Sequence, residues 1–525
     1  MKKLPIGIQN IREILTEGQL YVDKTQFALN LIQNGKHYFL SRPRRFGKSL
    51  FLSTLEEIFK GNKDLFTGCY IAERNYDWAP HLVLHLNLAE VLNETTQDFK
   101  ASLQRDIAGL ATKHNLDVDI PSAQEGLRNL VETLSKERQV VVLIDEYDKP
   151  IIDNLHRLDV AEGNRELLQS FFSTLKSLDK YIKFTFITGI SRFSKVSLFS
   201  GANHLQDISM DARYAAMTGY TQEEVEQCFD AHIRDMAQAQ SRTAENILEE
   251  IKAWYNGYRF SRAETHVYNP FSTLNYLSQR ETRSYWYASG TPVFLLKELS
   301  KHPQSLVPLQ GARAEENELT SSGSLHEIDL KALMFQTGYL TIQGYSTASR
   351  HYRLGFPNQE VREAFTQSLI KHFAKLNDAF GAEMEDLLEA HELTSFFSRI
   401  QQLLSKFPYQ LFVKAQERTY HGFLLSLLSG MGLEVAAETP SSLGRVDVLL
   451  WVERTIYVME IKLDQDPQAG IEQIKEQQYD KAHLGQGKSV ALVGLTFSSK
   501  TRNLQRWAAE LMDENGDLIK QLTPP

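Results

Sequence analysis

Ser41-Arg42-Pro43-Arg44-Arg45-Phe46-Gly47-Lys48-Ser49-Leu50 follows the apolar run Tyr38-Phe39-Leu40. It precedes Phe51-Leu52-Ser53-Thr54-Leu55-Glu56-Glu57-Ile58-Phe59, whose apolar residues recur at helical spacing. A strand, a tight loop ending in Gly-Lys-Ser and a helix are the parts of a phosphate-binding P-loop. Backbone N–H groups at the helix start point at an anion, and the helix dipole favours its charge. The cradle would run over Arg45, Phe46, Gly47, Lys48, Ser49 and Leu50. Lys48 would reach the β/γ phosphates, Ser49 would ligand Mg²⁺, and Gly47 would let the backbone come close. One position departs from the motif. Arg42 stands where G-x-x-x-x-G-K-[ST] has its first glycine, and arginine lacks glycine's access to positive φ. Taken alone, the loop also reads as a basic turn before an ordinary helix.

A second stretch narrows the choice. Gln139-Val140-Val141-Val142-Leu143-Ile144-Asp145-Glu146-Tyr147-Asp148-Lys149-Pro150 is a continuous β-branched run ending in carboxylates. Such a run fits a parallel-sheet strand covered on both faces. This is Walker B chemistry: Asp145 would hold the Mg²⁺ shell and Glu146 would polarise the attacking water. An acidic pair after a strand is often only a solvated strand end, but a P-loop upstream changes its meaning.

The whole chain sets bounds. It has 525 residues, about three or four domains by length. Hydrophobic residues are 42% and charged residues 23%, an ordinary globular balance. Cys69 and Cys228 are far apart, without metal-ligand spacing, which suits a reducing cytoplasm. No apolar run approaches the ~20 residues of a membrane span. The opening residues are too polar for a signal peptide. The net charge of −9 announces no nucleic acid, so a nucleic-acid enzyme would need local basic grooves.

Before the P-loop, Tyr21-Val22-Asp23-Lys24-Thr25 leads a helical stretch over 26–34, with Asp23 or Thr25 as its cap or as a contact to adenine or ribose. After it come a strand over 81–87, helices over 95–114 and 123–136, the Walker B strand, a helix over 162–178 and a strand over 182–189. This alternation predicts a mostly parallel, doubly wound sheet. Thr188, Ser191 and Arg192, at or after the end of that last strand, are candidates for a phosphate sensor or for strand-end capping. From 208 to 376 the strand signal thins. Thr221-Gln222-Glu223-Glu224 is a capping box. The aromatic phrases Trp254-Tyr255-Asn256-Gly257-Tyr258-Arg259-Phe260 and Tyr268-Asn269-Pro270-Phe271 suggest a helical or winged-helix-like lid. A loop over 312–324, a two-stranded ribbon over 339–358 and a helix over 360–374 follow, then a helical connector over 377–404.

Beyond 405 a new α/β unit begins. A helix from Glu417 precedes strands at 432–435, 444–451 and 455–463. Period-two spacing puts Glu460 and Lys462 on one face of the last strand, and a hairpin brings Asp447 beside them. Two acids and a lysine on adjacent strands make a metal-dependent phosphodiesterase site. Asp447 and Glu460 would bind Mg²⁺ or Mn²⁺, and Lys462 would stabilise or position the nucleophile. A buried ion pair is the structural alternative. A helix carrying Gln473 and Tyr479, a strand over 489–495 and a last helix over 501–512 complete the chain.

Taken together, Tyr21–Thr25, Arg42–Ser49, Trp254–Tyr258, Tyr268–Pro270, Gly355–Asn358 and Asp447 with Glu460-Ile461-Lys462 resemble bacterial AAA-ATPase-like proteins with a C-terminal PD-(D/E)xK nuclease-superfamily domain. The loop also looks like the Gly-Pro-Arg-Arg-x-Gly-Lys loop of archaeal-type STAND ATPases. The resemblance implies an AAA/STAND-like ATPase core over 1–207, a lid over 208–376 and a restriction-endonuclease-like domain over 405–525. It implies ATP on Lys48, Ser49, Asp145 and Glu146, and nuclease roles for Asp447, Glu460 and Lys462. Glu417 matches the family's first acidic position, a further metal ligand; Gln473 and Tyr479 match its later helix.

The expectation is therefore an ATP-driven switch gating a metal-dependent DNA nuclease, cytoplasmic, with ATP and DNA as partners and no membrane. Assembly into a homo-oligomer and the identity of an arginine finger, with Arg44, Arg45 and Arg192 as candidates by residue type, stay open. The competing reading is a signalling or scaffold ATPase whose nuclease-like domain binds nucleic acid or protein without cutting.

Overall fold

The computed structural model describes residues 1–192, 205–288, 312–320, 325, 329–374, 378–407, 417–440 and 445–523. The chain divides into two compact units, residues 1–294 with 309–362, and residues 295–308 with 363–525.

The first unit is built on five parallel strands: β1 (His37–Ser41), β2 (Val83–Asn87), β3 (Val140–Asp145), β4 (Ile182–Gly189) and β5 (Gln206–Asp207), in the order β2-β3-β4-β1-β5. β1 and β3 are buried along their whole length, as their unbroken apolar runs predict. The order separates the P-loop strand from the Walker B strand by β4. The register aligns their carboxyl ends, with Leu40 opposite Thr188 and Asn87 opposite Asp145. In such sheets the crevice beyond the carboxyl ends is the ligand side.

The helices Thr25–Asn34 and Lys48–Phe59 share a core with β1, β3 and β4. The middle region is helical, with Gln222–Cys228, Asp230–Ala239, Ala244–Tyr255 and Pro270–Gln279 closing a core with Leu20 and Val22. Thr221 and Glu224 do form a reciprocal capping box. Beyond it lie β6 (Arg313–Ala314), β7 (Thr341–Ser346) and β8 (His351–Gly355), an antiparallel sheet in the order β6-β8-β7. The loop expected over 312–324 thus contains a strand and a short helix, Glu316–Thr320, because Ala314 and Leu319 are fully buried; 321–324 lie outside the described residues.

The second unit holds a six-stranded sheet, β9 (Glu434–Pro440), β10 (Arg445–Trp451), β11 (Thr455–Leu463), β12 (Ser489–Ser498), β13 (Asn503–Met512) and β14 (Leu518–Leu522), in the order β14-β13-β12-β11-β10-β9. Only the β11–β12 pair is parallel. The helix expected over 501–512 is strand β13. Its Ala, Glu and Leu residues favour a helix, but successive side chains alternate between two cores: Trp507, Ala509 and Leu511 enter one, and Ala508 and Met512 the other. Helices Asp378–Glu389 and Leu393–Leu404, set out above as a connector, pack their apolar residues into the core of this sheet beside the helix Glu417–Gly430. Among the described residues, no helix is long and apolar enough to cross a membrane.

Candidate functional site

Two groups of polar side chains stand out, one in each unit. In the first, Gly47 adopts φ 85° and caps the helix Lys48–Phe59. Arg45 is the other left-handed residue of the loop, at φ 66°. Arg42 is not in that region, so the position that lacks glycine needs none. Its guanidinium is buried instead. It donates to the carbonyls of Ser41 at 3.0 Å and Ser209 at 2.6 Å, and lies 4.3 Å from the centre of the Phe260 ring. Phe46 is buried edge-on against Tyr258 and Phe260, so its side chain anchors the loop while its backbone stays in the cradle. Ser49 and Leu50 are half-buried in the first turn of the helix, and Arg45 is exposed over Phe271.

Lys48 Nζ donates to the carbonyls of Arg42 and Pro43, both at 3.0 Å. Burial lowers its pKa, opposed by Glu146, Asp145 and Asp148. Asp145 accepts hydrogen bonds from the Thr188 hydroxyl and, at 3.0 Å, from the Glu146 N–H. Glu146 sits at φ 49°, and burial pushes its carboxyl up while Lys48 draws it down. The structure therefore joins Lys48, Asp145, Glu146 and Thr188 at one strand-end crevice. Ser191 and Arg192 turn away from it. Ser191 bonds Asp148, and Arg192 is buried, 3.4 Å from Asp207, with its backbone N–H on Gln336. Asp23 accepts from the N–H groups of Thr25 and Tyr70, but the N-cap of the helix Thr25–Asn34 is Lys24, without a side-chain cap bond, so neither Asp23 nor Thr25 is its cap. Beside Gly47 and Leu50 lies a pocket open to solvent, walled by Tyr21, Val22, Phe51, Met217 and Tyr220. Lys24, in the same wall, is held by Glu224 at 2.6 Å.

In the second unit, Val448 pairs with Met459, which puts Asp447 next to Glu460. Asp447 accepts the Ile461 N–H at 2.9 Å. Glu460 is 3% exposed. Its Oε1 accepts from Lys462 at 3.2 Å and from Gln473 at 2.5 Å; Gln473 Oε1 in turn accepts from Lys462 at 2.6 Å. Oε2 of Glu460 is buried without a partner. Burial, then the Asp447 charge, pushes the Glu460 carboxyl up to about 7. Glu417 accepts the Leu463 N–H at 3.0 Å, at the end of the same strand. Tyr479, expected on the helix with Gln473, lies beyond that helix's end at Glu476 and is buried in the apolar layer with Ile471 and Ile474. Among the described residues, no three His, Cys, Asp or Glu side chains converge closely enough to form a metal site by themselves.

Two family models match this chain, one of a predicted AAA-ATPase over residues 5–199 and one of the PD-(D/E)XK nuclease superfamily over 415–507. An uncharacterized protein in the vnfD 5′ region of Azotobacter chroococcum mcd 1 is 36% identical over 530 residues, spanning 97% of this chain and 99% of that relative. The chain belongs to the AAA-ATPase-like proteins that carry a C-terminal PD-(D/E)XK domain.

Two features of this AAA-ATPase-like protein carry no role in the sequence reading. Asp148 is fully buried and accepts from the N–H groups of Ile190 and Ser191 and from the Ser191 hydroxyl, which ties the Walker B turn to the end of β4. Its signal was its place in the quoted acidic run. Gly470 and Gly494 let the helix Pro467–Glu476 lie close on β11 and β12. A Cβ on Gly494 would stand 1.8 Å from the Pro467 carbonyl oxygen, and one on Gly470 would stand 3.1 Å from that of Glu460. That approach is what delivers Gln473 to Glu460 and Lys462.

Proposed function

We propose that this protein binds and hydrolyses ATP with Mg²⁺ at its P-loop, and that nucleotide state governs a metal-dependent DNA phosphodiesterase in its C-terminal domain. The observation that carries the first half is the meeting of Lys48, Asp145, Glu146 and Thr188 at the carboxyl ends of β1, β3 and β4. The P-loop backbone and Lys48 would hold the phosphates, Ser49 and Asp145 the Mg²⁺ shell. Glu146 would orient the attacking water, and Thr188 would hold Asp145 in register. The nucleoside would lie toward the pocket beside Gly47.

The second half rests on the buried, partnerless Oε2 of Glu460 beside Asp447. Such an oxygen is costly unless a cation or proton meets it. Two carboxylates with a lysine fit a hard divalent cation, Mg²⁺ or Mn²⁺, with Glu417 as a further ligand. When bound, the cation lowers the pKa of water and offsets charge on the phosphate. Lys462, oriented by Gln473, would position the nucleophile. DNA as substrate, a reducing cytoplasm as setting and self-assembly complete this reading; two unpaired cysteines are in keeping with the setting.

The test pairs two assays on the full chain. Phosphate release should require Lys48 and Glu146, and Mn²⁺-dependent cleavage of plasmid DNA should require Asp447 and Lys462. Cleavage that survives Asp447→Ala and Lys462→Ala would remove the nuclease assignment. The net charge of −9 favours a second reading, a signalling ATPase whose C-terminal domain binds without cutting. It predicts ATP hydrolysis with no cleavage in any lane.

A further inference from the structure

The P-loop is gripped from the middle region by groups that nucleotide chemistry does not use. Trp286 Nε1 donates to the carbonyl of Arg44 at 3.1 Å. Pro43 lies against Gly338, where a Cβ would stand 2.8 Å from two Pro43 ring carbons and 3.4 Å from the Trp286 ring. Gly338 has φ 91° and ends the helix Leu330–Thr337, so backbone conformation and close approach both demand glycine there. The same Trp286 donates its backbone N–H to Glu360 Oε1 at 2.7 Å. Ser272 donates to that oxygen at 2.9 Å, and Oε2 of Glu360 has no partner. Glu360 is fully buried in the first turn of the helix Gln359–Ala374. From residue 363 onward that helix belongs to the second compact unit.

We propose that Trp286 and Glu360 are positioning residues forming a relay, through which P-loop occupancy is felt at the helix Gln359–Ala374 that leads into the nuclease-like unit. The inference rests on the reading that the P-loop takes a nucleotide. The switch is Lys48. Its ammonium holds the carbonyls of Arg42 and Pro43, and a bound phosphate competes for the same donors. Releasing those carbonyls lets residues 42–44 shift. Pro43 lies against Gly338, and the Arg44 carbonyl is bonded to the Trp286 ring, so the shift is passed to Trp286. Close-packed contacts transmit displacement because they have little room to absorb it. The Trp286 backbone then carries it to Glu360 and the helix start. Burial pushes the Glu360 carboxyl up to about 8, so near neutrality it is mainly the uncharged acid. Glutamine at this position would keep the acceptor oxygen.

Hydrogen exchange of the full chain, with and without Mg²⁺ and a non-hydrolysable ATP analogue, tests the relay. Calorimetry on the same samples establishes saturation. In the wild type, analogue binding should change exchange over 359–374 on the order of tenfold, the scale of ordinary site-to-site coupling. Trp286→Phe and Glu360→Leu should bind the analogue and lose that change, whereas Glu360→Gln should retain it. Analogue binding with unchanged exchange over 359–374 in the wild type would overturn the relay and leave the nucleotide site standing. A full response in Trp286→Phe and Glu360→Leu would also overturn it. So would loss of binding in both variants, because the pair would then build the nucleotide site and not report on it. A wild type that binds no nucleotide would remove the nucleotide reading and the relay together.

Discussion

The two site lysines, Lys48 and Lys462, are held in opposite ways. Lys48 is bonded to two backbone carbonyls of its own loop, and its carboxylate neighbours act on it without a direct ion pair. Lys462 is bonded directly to Glu460 and bridged to it again by Gln473. The first arrangement must exchange partners when an anion arrives. The second is already assembled, with one carboxylate oxygen left over. A site that must rearrange is suited to a switch, and a site assembled beforehand is suited to chemistry that waits on a cation or on access. The contrast follows from the elements that carry them. Lys48 opens a helix after a loop, where carbonyls are at hand. Lys462 lies inside a strand, where only side chains on the same face can meet it.

The largest effects should come from groups that touch the reacting atoms. Lys48→Ala should abolish nucleotide binding by calorimetry. Glu146→Gln should keep binding and lower hydrolysis by ~10²–10⁴-fold, the usual worth of a positioned general base. Binding that survives Lys48→Ala unchanged would break the account of the first site. Gln473→Ala should lower DNA cleavage or Mn²⁺ affinity by about 10–100-fold, the usual cost of losing a group that orients a metal-site residue. The equivalent loss at the first site, Thr188→Val, should act on Asp145 alone. Unchanged cleavage in Gln473→Ala would show that the second site does not depend on its bridge.

Smaller effects sharpen the contrast. Gly494→Ala forces a Cβ to 1.8 Å from the Pro467 carbonyl. It should destabilise the chain by about 1–3 kcal/mol, as overpacking does, and reduce cleavage while leaving ATP hydrolysis intact. The pH dependence is smaller still. The Glu460 carboxyl rises from 4.5 to about 7 on folding. Between those values the folded chain keeps a proton that the unfolded chain has released, so this group's contribution to stability falls as pH rises. In a chelating buffer, the wild-type melting temperature should decline relative to Glu460→Gln across that window. Added Mn²⁺ should reverse the decline. A flat difference curve would mean that Glu460 has found another partner.

Much of this was legible in the chain. The P-loop and Walker B strands announce themselves because a strand buried on both faces is apolar along most of its length, as Tyr38-Phe39-Leu40 of β1 and Val140–Ile144 of β3 are. Asp447, Glu460 and Lys462 are legible through the two-residue period of a strand. The remainder depends on tertiary contacts. Arg42 looked like a defect in a glycine motif, yet the left-handed positions fall at Arg45 and Gly47. β13 reads as a helix until its neighbour β12 is placed beside it. Asp148 and Phe46 sit within the quoted motifs, but their tasks appear only when the end of β4 and the aromatic rings of Tyr258 and Phe260 close on them.

The most direct measurement of the central claim is cleavage of plasmid and linear DNA with Mn²⁺, with and without ATP, by the wild type, Lys48→Ala and Glu460→Ala. The account predicts cleavage by the wild type that ATP alters, cleavage by Lys48→Ala that ATP leaves unchanged, and none by Glu460→Ala. Cleavage by Glu460→Ala, or the same response to ATP in Lys48→Ala as in the wild type, would contradict it.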